Sequence, residues 1–267
     1  MNNQKVAVLG INLGRYTVFF KDWYQSAKKN LFPSIDKHFF VFSDQNIPVF
    51  RKNDVTLIKV SRLGWPQDSM RCYHFFDSIR DLLADFDYIY SFNANAIFVK
   101  SIGKELLPDG SHDMVGAHNG RNNEIELSRR GGAFETNPKS TAYMTNEQAY
   151  CYYRGCMFGG TSTAFIRMCQ ALKENIDEDA QKGITAIWHD ESHINRYFLD
   201  HSPKTLDLRY IFAEEWKSQE KGLQPYIIMR DKRKFGGHDY LRGIRSRIPR
   251  KLLIPTLERR FLKKEIF

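Results

Sequence analysis

What this sequence lacks narrows it before any motif is read. No stretch approaches the roughly 18 uncharged apolar residues that a membrane-spanning helix needs. No apolar run of signal-peptide form stands at the start, so the chain is expected to be made and kept in the cytosol. Only four cysteines occur, Cys72, Cys151, Cys156 and Cys169, with neither a CxxC pair nor the spacing of a disulfide framework. That scarcity suits a reducing compartment and buried structural thiols. The loop "GINLGRY" is not GxGxxG, and there is no Walker sequence, so a phosphate-bearing ligand must be held in some other way. His189 and His193 stand four apart, yet the glutamate of an HExxH site directly follows the first histidine. Glu191 comes one place later, near the opposite face of a helix, which argues against zinc hydrolysis. Internal repeats and low-complexity linkers are missing too.

Charge is plentiful but unevenly placed. From Arg230 to Phe267 there are 13 Lys+Arg against 4 Asp+Glu, while residues 1–229 hold 27 of each, so the whole net charge of +9 belongs to the end of the chain. A neutral body argues against an RNA-binding protein, which would interleave basic and aromatic residues across its folded surface. The end reads "RGIRSRIPRKLLIPTLERRFLKKEIF", basic residues interleaved with apolar ones and interrupted by Pro249 and Pro255. Two short amphipathic pieces that meet an anionic membrane surface are one reading, and a solvated charged tail is the other.

With 42% hydrophobic residues the chain can bury one substantial core, and its pattern alternates strands with helices. "KVAVLGI" reads as a strand feeding a helix that carries Phe20, Trp23, Tyr24, Ala27 and Leu31 at helical spacing. "KHFFVFSD" and "DVTLIKV" are further strands, "SMRCYHFFDSIRDLLADF" one long amphipathic helix, and "YIYSF" the next strand. "DMVGAH" and "YCYYRGCMF" follow as strands, "STAFIRMCQALKENI" and "ESHINRYFLDH" as helices. The Gly-, Asn- and Arg-rich loop from Asn119 to Lys139 is long enough for a lid or binding loop.

"YIYSFNANAIFVK" poses the chemical question. Asn93 and Asn95 fall at the C-terminal end of an apolar strand, where open α/β sheets bind ligands, although asparagine is a poor strand former and costly to bury unpaired. In "IWHDESHINRYF", Asp190 and Glu191 open a helix, and capping that helix explains the acids as well as catalysis does.

Taken in order, "FNANAIF", "YYRGCMFGG", "IWHDESHINRYFLDH" and "YIIMRDK" resemble the ABO-like glycosyltransferases, family 6 of the retaining glycosyltransferases. Mammalian members carry Asp-x-Asp where this chain has Asn93, Ala94 and Asn95, and its Asn-x-Asn is similar to that of the bacterial members. The resemblance covers roughly residues 5 to 242. It implies an α/β GT-A fold over residues 1–242, a Rossmann-like mixed central sheet flanked by helices, with 243–267 left as a basic amphipathic extension. It also implies transfer of galactose or N-acetylgalactosamine from UDP-Gal or UDP-GalNAc, with retention, to O3 of a galactose-terminated glycan, fucosylated or lipid-linked. A nucleotide-sugar or glycan-binding protein without turnover is the alternative, and Glu191 within His189-Asp190-Glu191 counts against it.

Carried over residue by residue, the resemblance makes Ile11, Asn12, Leu13 and Tyr16 the uridine-binding loop and Glu191 the catalytic glutamate. Arg154, Gly155 and Cys156 become the tripeptide that selects the donor, with His189 and Asp190 beside it. The bulk of Arg154 and Cys156 favours UDP-Gal over UDP-GalNAc. Arg71 lies in the matching "SMR", where a following family arginine is Cys72 here. His118, Trp188 and Glu214 fall at or near acceptor contacts, and the family's Tyr-Glu-Arg-Arg loop becomes "FETN". Neutral amides hold a divalent cation poorly, so no metal is expected to be required. Stabilisation of the leaving diphosphate then falls to Arg230, Lys232, Arg242 and Arg71. Glu191 either attacks the anomeric carbon or stabilises oxocarbenium charge while the acceptor enters on the face that UDP leaves.

Overall fold

The computed structural model describes residues 4–46, 48–120, 132–148 and 150–248. Residues 121–131 of the expected lid loop and 249–267 of the basic extension lie outside them.

Strand alternation builds the main sheet. β1 (Lys5–Ile11), β2 (Asp36–Ser43) and β3 (Val55–Lys59) run parallel, with Val8 opposite Phe39 and Phe40 opposite Thr56. β4 (Tyr88–Phe92) pairs with the other side of β1, also parallel. β5 (Ala96–Phe98) leaves this sheet, and β6 (Met114–His118), β7 (Tyr153–Thr161) and β8 (Lys204–Leu206) complete it. The order across the seven strands is β3-β2-β1-β4-β7-β6-β8, with β7 antiparallel to both neighbours. A small second sheet joins β5 to β9 (Phe212–Ala213) and β10 (Ile227–Met229) in the order β5-β10-β9.

Because side chains alternate along a strand, each face of the sheet receives its own core. Val6, Val8, Phe39, Val41, Tyr90 and Phe92 point to one side. There they meet Phe20, Trp23, Tyr24 and Ala27 of α1 (Phe20–Asn30), one stripe at 3.6-residue spacing. Ala7, Leu9, Phe40, Phe42 and Ile89 point to the other.

That second face is covered by helices from three parts of the chain. The single helix expected from Ser69 to Phe86 is in fact three pieces, α2 (Gln67–Met70), α3 (Cys72–Asp77) and α4 (Arg80–Leu83). The break after α3 has a local cause. Ser78 Oγ donates back to the carbonyl of Phe75 at 2.7 Å, and the Ile79 N–H bonds to Phe76 rather than continuing the α-helical ladder. The bend wraps Tyr73, Phe76, Ile79 and Leu83 onto α5 (Ser162–Gln181) and α6 (Asp190–Asp200). The short α7 (His238–Leu241) closes the described chain. No helix among the described residues is long and apolar enough to cross a membrane.

β4 is the central strand, parallel to β1 on one side and antiparallel to β7 on the other. Its carboxyl end is therefore a switch point, where the backbones diverge and leave a crevice. This mixed seven-stranded sheet between helices has the GT-A-like arrangement that the resemblance implies.

Candidate active site

The crevice at the end of β4 is a pocket. Its floor is Ser91, Phe92, Asn93, Ala94 and Asn95, and one wall is Ile11, Leu13 and Tyr16 from the turn after β1. Gly155, Phe158 and Asp190 form the opposite wall. Arg62 and Trp65 enter from the loop before α2, Asp68 and Ser69 from α2 itself, and Lys232, Leu241 and Arg242 from the last part of the described chain.

The two asparagines divide the work. Asn93 is exposed in the pocket, its backbone N–H fixed on the Cys156 carbonyl at 2.9 Å. Asn95 is 5% exposed, and its Nδ2 donates to the Arg230 carbonyl at 2.8 Å while the Arg230 N–H returns to the Asn95 carbonyl. An amide can make this exchange and an ionised carboxylate cannot, because the amide has donors to give. Asn95 thereby ties the floor to the segment that brings Lys232.

Across the pocket, His189 holds the N-cap position of α6 with φ 55 and ψ −126, an uncommon conformation for a residue with a side chain. Asp190 is thus the first helical residue and not the cap expected from sequence, and no side chain caps this helix. Ser192 instead accepts the Trp188 N–H at 2.9 Å, bracing the turn. Asp190 faces the pocket. Desolvation, and then the Glu191 charge, push its pKa up to about 8.

Glu191 is held by three donors. Its Oε1 accepts from the Tyr152 hydroxyl at 2.7 Å and lies 3.3 Å from the Arg154 guanidinium, and its Oε2 accepts the Gly155 N–H at 2.7 Å. Tyr152 is fully buried, with Phe134 edge-on to its ring. A Cβ at Gly155 would stand 3.3 Å from Glu191 Cβ, a tight contact, and 3.5 Å from Asp190 Oδ2, an ordinary one, so a side chain here would press lightly on Glu191. Asp190 is part of the pocket wall, whereas Glu191 does not line it and reaches it through Gly155, which does.

The cationic side is equally specific. Lys232 lies over the Tyr16 ring at 5.6 Å, and desolvation and then Arg242 push its pKa down to about 8. The Arg242 guanidinium stands 4.4 Å from the Trp65 ring centroid, and Trp65 meets His189 edge-on at 5.0 Å. Desolvation pushes the pKa of the Tyr16 hydroxyl up, against the opposing pull of the nearby Arg242 charge.

The remaining sequence candidates are dispersed. Arg230 pairs with Asp22 at 2.8 Å and lies over Phe235, outside the pocket lining. Arg71 does not line it either, and Asn12 is fully buried between two residues that do. Cys156 is packed beside the core, and burial pushes its thiol up to about 12. His118 is 1% exposed and accepts the Gly120 N–H on Nδ1. Trp188 is 44% exposed, beside the helix start. Glu214 binds the Asp231 N–H at 2.7 Å and the Lys234 ammonium, and so holds the turn that carries Lys232.

Sequence reasoning missed Arg62, Trp65 and Tyr152. Gly-Trp-Pro ahead of "SMR" is a turn signal with a tryptophan in it, and this was the available clue. Tyr152 stood in the quoted "YYRGCMFGG" with nothing to separate it from core aromatics.

The glycosyltransferase family 6 model matches residues 1–233. The chain is 30% identical to the O-antigen biosynthesis glycosyltransferase WbnI of Escherichia coli, over 85% of this chain and 94% of that protein. It is 27% identical to the histo-blood group ABO system transferase 1 of Rattus norvegicus, over 84% of this chain and 66% of that protein. It is 28% identical to the globoside alpha-1,3-N-acetylgalactosaminyltransferase 1 of Gallus gallus, over 79% and 63%. A mixed sheet with its crevice at the end of β4, a glutamate bonded to Gly155 of that crevice and a family match over most of the length agree: this chain belongs to glycosyltransferase family 6.

Proposed function

We propose that the protein transfers galactose, or N-acetylgalactosamine, from a UDP-sugar in α-1,3 linkage to a galactose-terminated glycan, with retention of configuration. The observation that carries this reading is one structurally anchored glutamate, Glu191, bonded to Gly155 of the crevice beyond β4, together with two cations, Lys232 and Arg242, that line the same crevice. A donor lying across the crevice has its diphosphate near the cations and its anomeric carbon toward Glu191.

The residues on the floor do not fit a divalent metal. Amide oxygens are weak, neutral ligands, and the Asn95 amide is already committed to Arg230. Lys232 and Arg242 instead supply fixed positive charge where the departing β-phosphate gains negative charge, in a pocket that raises its effect above that in water. Glu191 offers negative charge as the anomeric carbon becomes cation-like. Its hydrogen bonds orient it for either attack or stabilisation. Asp190, neutral below about pH 8, can donate a hydrogen bond to a sugar hydroxyl. Trp188 gives the acceptor's apolar sugar face a surface to stack on.

The bulk of Arg154 and Cys156, which flank the pocket-lining Gly155, favours UDP-Gal as donor. The acceptor class follows the relatives' names, an O-antigen in one case and a globoside in another. If the acceptor is lipid-linked, the basic extension holds the enzyme at an anionic membrane surface. Incubation with UDP-Gal and UDP-GalNAc against galactose-terminated and fucosylated oligosaccharides, with and without EDTA, tests the reading. NMR of the product should show an α-1,3 linkage formed equally in EDTA. UDP-sugar binding with no turnover on any acceptor would favour the binding-protein alternative.

A further inference from the structure

Arg15 lies outside the pocket lining, yet it is bound to the part of the chain that completes the pocket. Its guanidinium donates from Nη1 to the carbonyls of Tyr240 and Arg245, both at 2.7 Å, and from Nη2 to that of Ser246 at 3.4 Å. The same group stacks 4.1 Å from the centroid of the Tyr240 ring. The Tyr240 carbonyl belongs to the last turn of α7, where the C=O groups of a helix have no partner within it, and those of Arg245 and Ser246 follow the helix end. A planar fork with five N–H donors suits such a cluster, and a lysine cannot span it.

Arg62 makes a second attachment one residue from the centre of this segment. It donates to the Arg242 carbonyl itself. Its guanidinium is enclosed between two glycines, Gly14 at φ 54 and Gly243 at φ 76. A Cβ at Gly14 would come within 2.6 Å of Arg62 Nη1, and one at Gly243 within 3.2 Å. Both glycines thus give the positive φ that the turns need and the space that the guanidinium fills. Arg15 from the turn after β1 and Arg62 from the loop before α2 both fasten the end of the described chain, and Arg242 carries the second attachment on its own carbonyl, flanked along the chain by the carbonyls that Arg15 holds.

We propose that Arg15, from outside the pocket, and Arg62, from its place in the lining, are positioning residues that act through Arg242, making the grip on a nucleoside diphosphate depend on the docking of residues 240–246. The inference rests on the donor reading above. In the base-binding wall Ile11 packs on the core and Tyr16 touches the segment, through Leu241 and beside Arg242, so a nucleoside without phosphates depends on this docking less than a diphosphate does.

Calorimetry with UDP and with uridine on the full chain tests this. Arg15→Ala and Arg62→Ala should each weaken UDP about tenfold, the size of one charge-assisted contact, while uridine affinity stays within about twofold. Combining Arg15→Ala with Arg242→Ala should give no more loss than Arg242→Ala alone. Arg15→Lys should fall between the alanine variant and the unaltered chain. Equal losses for uridine and UDP would mean that the pocket as a whole is deformed, and would overturn the proposal. So would multiplying losses in the double variant, which would mean independent action, or unchanged UDP affinity in Arg15→Ala. Failure of the unaltered chain to bind UDP at all would overturn the donor reading and this inference with it.

Discussion

Replacing Glu191 with glutamine keeps the side chain's size and removes its charge, and the geometry says where the loss falls. The carboxylate accepts from Gly155 N–H and from Tyr152 O–H, and pairs with Arg154. The amide oxygen can still face the Gly155 N–H, which has no freedom to turn. The amide nitrogen then faces Tyr152, whose hydroxyl can rotate to accept. Two hydrogen bonds survive in weaker form and only the Arg154 ion pair is lost, so stability should change by about 1 kcal/mol or less, within the range for partly exposed pairs. Catalysis should suffer far more. Negative charge beside an oxocarbenium-like centre acts only as the transition state forms, and its removal should lower kcat on the order of 10²-fold or more, about 2.7 kcal/mol. Initial rates with UDP-Gal at saturating acceptor, set beside thermal unfolding of the same preparation, make the comparison. A folded Glu191→Gln enzyme with near-normal kcat would refute the reasoning and leave the acid as part of the helix start.

The Lys232 ammonium, with its pKa pushed down to about 8, is charged below that pH and lost above it, so kcat/KM for the anionic donor should fall above about pH 8. Lys232→Arg should abolish that limb, and its persistence would assign it to another group such as Asp190. For Asp190, raised to about 8 by burial, stability is fully present below the unfolded pKa near 4 and declines as pH rises to about 8. Asp190→Asn should therefore be the more stable protein by about 1–3 kcal/mol at pH 9, less than the full shift because the pocket is open to solvent, with the gain vanishing near pH 4. Denaturant melts across that range check the sign. Truncation after Ile248 should leave activity on a soluble oligosaccharide intact and abolish sedimentation with anionic vesicles at low salt, whereas equal sedimentation of both forms would make the extension a solvated tail.

The sequence by itself determined the elements with strong periodicity and the motifs at their ends. Alternation in "KVAVLGI" and "YIYSF", and the stripe of Phe20, Trp23, Tyr24 and Ala27, are local consequences of burying one face, so they appear as strands and a helix near the expected residues. The position of Asn93 and Asn95 at a strand end was legible for the same reason. The break in the helix after Asp77 was not, because a serine that bends a helix by bonding backward looks like any polar residue on its outer face. Nor could the sequence say which cations face the pocket. Lys232 and Arg230 are two residues apart, yet one lines the crevice and the other pairs with Asp22, a choice fixed by a partner 208 positions away. Tyr152 on Glu191, and Arg15 and Arg62 on the segment beyond α7, are likewise contacts between distant parts of the chain. Local periodicity carries the information for elements, whereas the identity of a polar side chain's partner exists only once those elements are packed, and that is why the tertiary structure alone decided how the site is held.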